Sequence, residues 1–272
     1  MILRMRGGGM EFPRHPVVVG VLPRLNGVDK GVDGRIALAR QMADDGADWV
    51  EWCGGGAAGE AEEAAGLCAF LERWSGEGLA LPVVIRTACE SVARLALEAG
   101  GNMLCGGGVL GVEAAARVCA DTGAALLLTH VFEGAKAETA TDSKAAFTRS
   151  AEVFFEESMS LVARAGLSRD AVLLDAGDAP SGVPGGGFRR ELMERLGRPW
   201  CVSVSGRMLA EAVLGGGFGT PGPTSRGATL VACVVQAVLS GAHILRVEDA
   251  GDLRPTVYAA RTIAAVLGVW RA

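Results

Sequence analysis

Eight strand-length apolar runs, each followed by a helix-spaced stretch, constrain this chain more than any other feature. The runs are VVVGVL (17–22), WVEWC (49–53), PVVIR (82–86), NMLC (102–105), ALLLTH (125–130), AVLLD (171–175), WCVSV (200–204) and HILRV (243–247). They are nearly continuous rather than alternating, as in parallel strands covered on both faces. Helical spacing fills the gaps at 33–47, 60–74, 90–100, 111–123, 150–166, 189–197, 206–215 with 227–242, and 255–269. Count, order and length predict a single (β/α)8 TIM barrel. A doubly wound open sheet is the competing architecture, but it carries a glycine-rich turn after its first strand. Here that turn reads PRLNGVDKG, without GxGxxG.

No linker-like shift in composition interrupts the pattern, so residues 17–272 read as one barrel and residues 1–16 as a flexible tail. With 272 residues, half of them hydrophobic, a full barrel core is within reach. The net charge is −5, without any block of like charge, and one Tyr beside eight Phe and five Trp argues against base-stacking platforms. Both features argue against nucleic acid or an anionic membrane as the main partner. The first residues lack the apolar core of a signal peptide, and no run is long enough to span a membrane. Seven widely spaced Cys without a CxxC pair fit small apolar fillers in a reduced, cytoplasmic protein.

In a barrel of this kind the ligand site lies at the C-terminal ends of the strands. Those ends hold Pro23, Glu51, Cys53, Arg86, Cys105, Thr129, His130, Asp175, Ser205, Arg207, Arg246, Glu248 and Asp249. This is a polar ring of mixed sign, rich in arginine. Asp175 stands out, because VLLDAGDAPSGVPGGG delivers a carboxylate from a buried run directly into a Gly/Pro loop.

The order of motifs resembles the dihydropteroate synthase family of pterin-binding barrels over about residues 17–268. DDGADWVEWCGGG resembles that family's GADIIDIGGES segment, and PVVIRTACESVARLALEAG its PISVDTxxxxVAxxALxAG segment. LLLTH, VLLDAGDAPSG, VSVSGRMLAEAV and GAHILRVEDAG resemble the segments of strands 5 to 8. The resemblance implies a cytoplasmic homodimer and a transferase of folate biosynthesis. In that reaction a pterin carrying a methyl-pyrophosphate is attacked by p-aminobenzoate. It further implies Mg²⁺, but only if a pyrophosphate substrate is used.

The residues that the resemblance maps are mostly replaced. The metal-binding Asn falls on Pro23, the Ser-Thr-Arg loop on Gly56, Ala57 and Ala58, and the Asp of the third strand on Arg86. The pterin-binding Asn falls on Cys105, the Lys of the strand-6 loop on Gly182, and the His of the last motif on Glu248. Asp175, Ser205, Arg207 in place of Lys, Arg246 and Asp249 persist. Arg86 carries only donors, so a pterin edge meeting it would face a donor mismatch of about 1–3 kcal/mol. Glu248 places a negative charge where pyrophosphate would lie, a repulsion of several kcal/mol at an effective dielectric near 20.

These changes predict a divergent barrel that lacks ordinary synthase activity. It would take a different small ligand, anionic or amino acid-like, through Arg86, Asp175, Ser205, Arg207, Arg246, Glu248, Asp249 and Cys105. Arg86 and Asp175 are expected to approach each other, either pairing directly or jointly holding the ligand. His130 and Glu51 are the candidate acid–base residues. A hydrogen-bonded ring at a strand end is the competing reading for His130, and a structural hydrogen bond for Glu51. Three isolated His give no metal site. GGGFGTPGPTS (215–225) lacks the phosphate-loop pattern and reads as a loop over the mouth. Two further readings stay open: a non-catalytic binding homologue with its pocket closed by ion pairs, and a true dihydropteroate synthase.

Overall fold

The computed structural model describes residues 2–13, 15–23, 31–54, 59–132, 140–177, 190–204 and 223–267. Eight parallel strands close into a barrel. They are β3 (Val17–Leu22), β4 (Trp49–Cys53), β5 (Val83–Arg86), β6 (Met103–Gly106), β7 (Ala125–Thr129), β8 (Val172–Asp175), β9 (Trp200–Val204) and β10 (Ile244–Val247). Ring closure comes from β10 pairing with both β9 and β3. Around them lie α1 (Gly31–Asp44), α2 (Glu60–Gly76), α3 (Glu90–Glu98), α4 (Val112–Thr122), α5 (Ala140–Arg164), α6 (Arg190–Leu196), α7 (Pro223–Leu239) and α8 (Ala250–Leu267). The expected barrel is present, strand for strand.

Alternation along the strands divides the core in two. Outward residues such as Val50, Trp52, Ile85, Leu104 and Leu126 pack against the helices. Inward residues, among them Val19, Trp49, Val84, Met103, Leu127, Leu173 and Ile244, fill the barrel's lower half. A void of about 10 Å³ remains there, roughly one water-sized probe and no more. All seven cysteines are free and none forms a disulfide.

The segment read as a tail is different over its described part. β1 (Ile2–Met5) and β2 (Gly8–Glu11) form an antiparallel hairpin. The link is two residues, Arg6 and Gly7, with Gly7 at φ +91°. The left-handed conformation such a tight hairpin needs is open to glycine at no steric cost. Leu3 is fully buried and Phe12 nearly so, both against the inward residues at the bottom of the barrel. Asn102 clamps the hairpin: its Nδ2 donates to Arg6 O at 3.1 Å while its Oδ1 accepts from Val83 N at 2.8 Å. The strand pattern was hidden because glycines fill the hairpin and only two side chains carry its burial.

Three helices begin at least four residues earlier than periodicity indicated, α7 among them, at Pro223 instead of the expected 227. α5 starts at Ala140, ten residues ahead of the expected 150. Its first turns lack regular apolar spacing, but no Gly or Pro interrupts them. α8 starts at Ala250 and carries Pro255 inside it. The expected helix at 206–215 and residues 215–222 of the expected loop 215–225 lie outside the described residues, while the loop's last three residues, Pro223, Thr224 and Ser225, belong to α7 instead.

Candidate active site: a carboxylate gripped by two arginines

Glu51 is on β4, one inward position below Cys53, which ends the strand level with Arg86. Its neighbour at the same level on β5 is Val84, and no part of Glu51 reaches solvent. A carboxylate in that position requires strong partners, and two arginines supply them. Arg246 on β10 donates from Nε to Oε2 at 2.7 Å and from Nη2 to Oε1 at 2.8 Å, a bidentate fork. Arg86, ending β5, donates from Nε to Oε1 at 2.7 Å. Burial alone would raise the Glu51 pKa, but the two guanidiniums outweigh it and hold the carboxyl well below the usual carboxylate range. Arg246 completes its set by donating from Nη1 to Glu248 Oε1 at 2.7 Å.

This arrangement does not suit the acid–base role expected of Glu51. The two guanidiniums favour its ionised form, and both oxygens are already occupied by guanidinium donors. The competing reading, a structural hydrogen-bond acceptor, describes it. Direct pairing of Arg86 with Asp175 does not occur either: Arg86 turns to Glu51. Pairing with Asp175 would take from the enclosed Glu51 the second of its two cations and leave it with Arg246 alone.

Across the barrel, Asp175 ends β8 and is buried. Its Oδ1 accepts from Gly177 N at 2.9 Å and its Oδ2 from Thr129 Oγ1 at 3.3 Å. Thr129 Oγ1 also lies 3.1 Å from Cys105 Sγ, so β6, β7 and β8 are linked side by side at the mouth. Burial pushes the Asp175 carboxyl up, against the pull of Arg246, the Gly177 N–H and Arg86. The turn after Asp175 depends on glycine. Gly177 has φ +70°, and a Cβ there would stand 2.1 Å from His130 O.

His130 is also unsuited to general-base work. One ring nitrogen, Nδ1, lies 3.2 Å from Ala176 O and the other, Nε2, 2.9 Å from Ser150 Oγ. A carbonyl can only accept, so Nδ1 carries the proton and Nε2 accepts from Ser150. Phe132, Phe147, Phe154 and Phe155 surround the ring, and burial lowers its pKa. His130 is a clasp joining β7, β8 and α5.

The cysteines at the mouth are poor nucleophiles. Cys53, 3.4 Å from Glu51 Oε1, has its thiol pushed up to about 12 by burial and by that carboxylate. Burial raises Cys105 too. Asp249 caps α8, accepting from Gly251 N at 2.9 Å. Ser205 and Arg207 lie outside the described residues. Among the described residues no group of His, Cys, Asp and Glu could hold a metal ion, and Pro23, beyond β3, has no side-chain oxygen. The donor set described here does not fit Mg²⁺.

Two wall residues were passed over in the sequence. Thr129 was seen as a strand end but not as the hydroxyl that binds Asp175. Ser203 is level with Arg246 and shares a face with inward Cys201, two residues before it. Period-two counting from Cys201 identifies it.

A family model described as "Pterin binding enzyme" matches residues 26–248. The chain belongs to the pterin-binding enzyme family. The barrel is similar to the Yersinia pestis dihydropteroate synthase in a sulfonamide drug complex, with TM-score 0.77 and 21% identity over 99% of this chain and 100% of that one. It is similar to Xanthomonas albilineans dihydropteroate synthase in complex with 7,8-dihydropteroate, with TM-score 0.75 and 24% identity over 98% and 99%. It also resembles the Stenotrophomonas maltophilia synthase with active-site-bound imidazole, with TM-score 0.77 and 23% identity over 99% and 100%. No curated protein matches in sequence. At these identities the likeness is one of fold, and the chemistry of this pterin-binding barrel rests on its own residues. Among its described residues no helix is long and apolar enough to cross a membrane.

Proposed function

We propose that this pterin-binding barrel does not make dihydropteroate, and that its C-terminal mouth takes a different small ligand, anionic or amino acid-like. One observation carries the reading. The position that resemblance assigns to a pterin-binding Asp is Arg86, and its guanidinium is locked to Glu51 beside Arg246. A pterin edge rich in N–H donors would meet a donor there. Asp175 and Thr129 remain as acceptor and hydroxyl on the opposite wall, so the mouth keeps binding capacity with altered polarity. Arg207 and Ser205 belong to the same proposed site.

The test is calorimetric titration with 6-hydroxymethyl-7,8-dihydropterin pyrophosphate and Mg²⁺, followed by a synthase assay with p-aminobenzoate. No heat and no product is the expected result. Micromolar binding with product formation would make the protein a folate-pathway transferase and overturn the reading.

A second reading, a binding homologue acting through a partner subunit, is favoured by the outer face of α7 and α8. Val231 and Leu239 on α7 and Tyr258 and Val266 on α8 are exposed, Tyr258 and Val266 to 76%. A homodimer through these helices would cover them. Light scattering after gel filtration distinguishes the dimer from a monomer, and Tyr258→Glu should dissociate it. A reducing cytoplasmic location fits the seven unpaired thiols.

A further inference from the structure

The two arginines of the mouth are not equivalent. Arg246 has spent all three of its nitrogens, two on Glu51 and one on Glu248. Arg86 has spent only Nε. Its terminal nitrogens make no hydrogen bond with a described residue, and neither is among the polar atoms sealed from solvent. The Arg86 side chain is 13% exposed, whereas Glu51 beneath it is wholly enclosed. The guanidinium is thus fixed at one edge by a buried anion and presents its Nη1–Nη2 edge to the mouth.

That edge is a rigid planar fork of parallel N–H donors, matched to the two oxygens of a carboxylate. The charge around it limits what can enter. Arg86 and Arg246 are balanced by Glu51 and Glu248. Asp175 is the further acid of the described wall. With Asp175 the described wall has no net positive charge, so a multiply charged anion meets more repulsion and a larger desolvation cost there than a monocarboxylate, which the fork can hold by paired hydrogen bonds. Opposite, each Asp175 oxygen accepts one bond from a described residue, Gly177 or Thr129. Each therefore has a lone pair left for a ligand donor.

We infer that the Nη edge of Arg86 is a carboxylate receptor, and that the mouth takes a small monocarboxylate whose hydroxyl or amino group faces Asp175. This rests on the reading that the site is not a pterin site, and it narrows the ligand class within that reading. Glu51 serves as a positioning residue, since it aims the fork without touching the ligand.

The experiment is calorimetric titration of the full chain with glycolate, glycine, acetate and inorganic phosphate, repeated on Arg86→Lys, Arg86→Gln and Asp175→Asn. Folding is checked by circular dichroism; Arg86 variants leave Glu51 chelated by Arg246. Glycolate or glycine should bind at least about tenfold more tightly than phosphate. Arg86→Lys, which keeps the charge but loses the fork, should weaken carboxylates about tenfold or more. Asp175→Asn should weaken glycolate and glycine but spare acetate. Phosphate binding as well as the carboxylates, unchanged affinity in Arg86→Lys, or no heat from any carboxylate would each overturn the inference. Pterin pyrophosphate titrated on the same samples separates the two failures. Silence there with silent carboxylates refutes only the ligand class, whereas pterin binding refutes the parent reading as well.

Discussion

Glu51→Gln is the substitution that most directly tests how the barrel's interior is held together. Glutamine has nearly the same shape, so no cavity forms. What changes is charge and donor count. Wild-type Glu51 accepts three guanidinium N–H bonds of 2.7–2.8 Å in a site with no exposure. In the variant, one acceptor oxygen becomes an NH₂ aimed at a guanidinium, and two arginines with side chains 8% and 13% exposed lose their shared counter-ion. Removing one partner of a buried ion pair costs about 3–5 kcal/mol. For a domain of this size about 2–4 °C of Tm accompanies each kcal/mol, so a fall of about 6–20 °C is expected. Arg86→Met is the comparison. It removes one charge-assisted bond but leaves the Arg246 fork, and should cost about 1–3 kcal/mol.

The pH dependence supplies a second check. The folded pKa of Glu51 is depressed, so its stabilisation is full above the unfolded carboxylate pKa, declines as pH falls below that value and is gone once pH has passed the lower folded one. The Tm deficit of Glu51→Gln should therefore stay constant across neutral pH and shrink progressively once pH falls below the ordinary carboxylate range. Urea unfolding at several pH values measures it. A deficit below about 1 kcal/mol, or one that changes between neutral and mildly alkaline pH, would show that Glu51 is not the charge on which the arginines depend.

Three other outcomes follow from the same geometry. His243 Nδ1 accepts from Trp200 N at 3.3 Å, and burial lowers its pKa from 6.5 to about 4. The unfolded chain binds its proton first, so stability should fall by about 1–3 kcal/mol as pH drops through that window. His243→Asn, which keeps an acceptor, should remove the slope in acid-unfolding curves. Burial raises the folded pKa of Asp175, so its contribution is fully present below the unfolded value and lost as pH rises through the folded one. Asp175→Asn should gain on wild type as pH rises, by Tm measured across the same series. Gly177→Ala, with its Cβ 2.1 Å from His130 O at φ +70°, should cost about 2–4 kcal/mol, read as a lowered urea midpoint.

The barrel was legible because its strands obey one rule throughout. Each is buried on both faces, and apolar continuity marks all eight. The site was legible only as a roster. Glu51, Arg86, Arg246, Glu248 and Asp175 were all identifiable as mouth residues, since strand ends can be counted. Their pairings were not. Whether Arg86 turns to Asp175 or to Glu51 depends on strand stagger and on which carboxylate is more deeply enclosed, and neither leaves a trace in local spacing. The hairpin was hidden for a related reason, because its fixing contacts, Leu3 beneath the barrel and Asn102 on Arg6, are nearly a hundred residues apart in sequence.

Asp175 poses its question against this background. A lone buried carboxylate at a barrel mouth would ordinarily draw in a cation, and two arginines lie within its electrostatic reach. Neither forms a salt bridge with it, because both arginines hydrogen-bond to Glu51. Occupying both guanidiniums below leaves Asp175, among the described residues, with neutral donors, a backbone N–H and a hydroxyl. The acidic wall and the basic fork are thereby kept apart instead of cancelling. A mouth in which the two signs remain separate can bind a molecule that carries both an acceptor and a donor. Glu51, deep in the barrel and unable to touch that molecule, is the residue that keeps them separate.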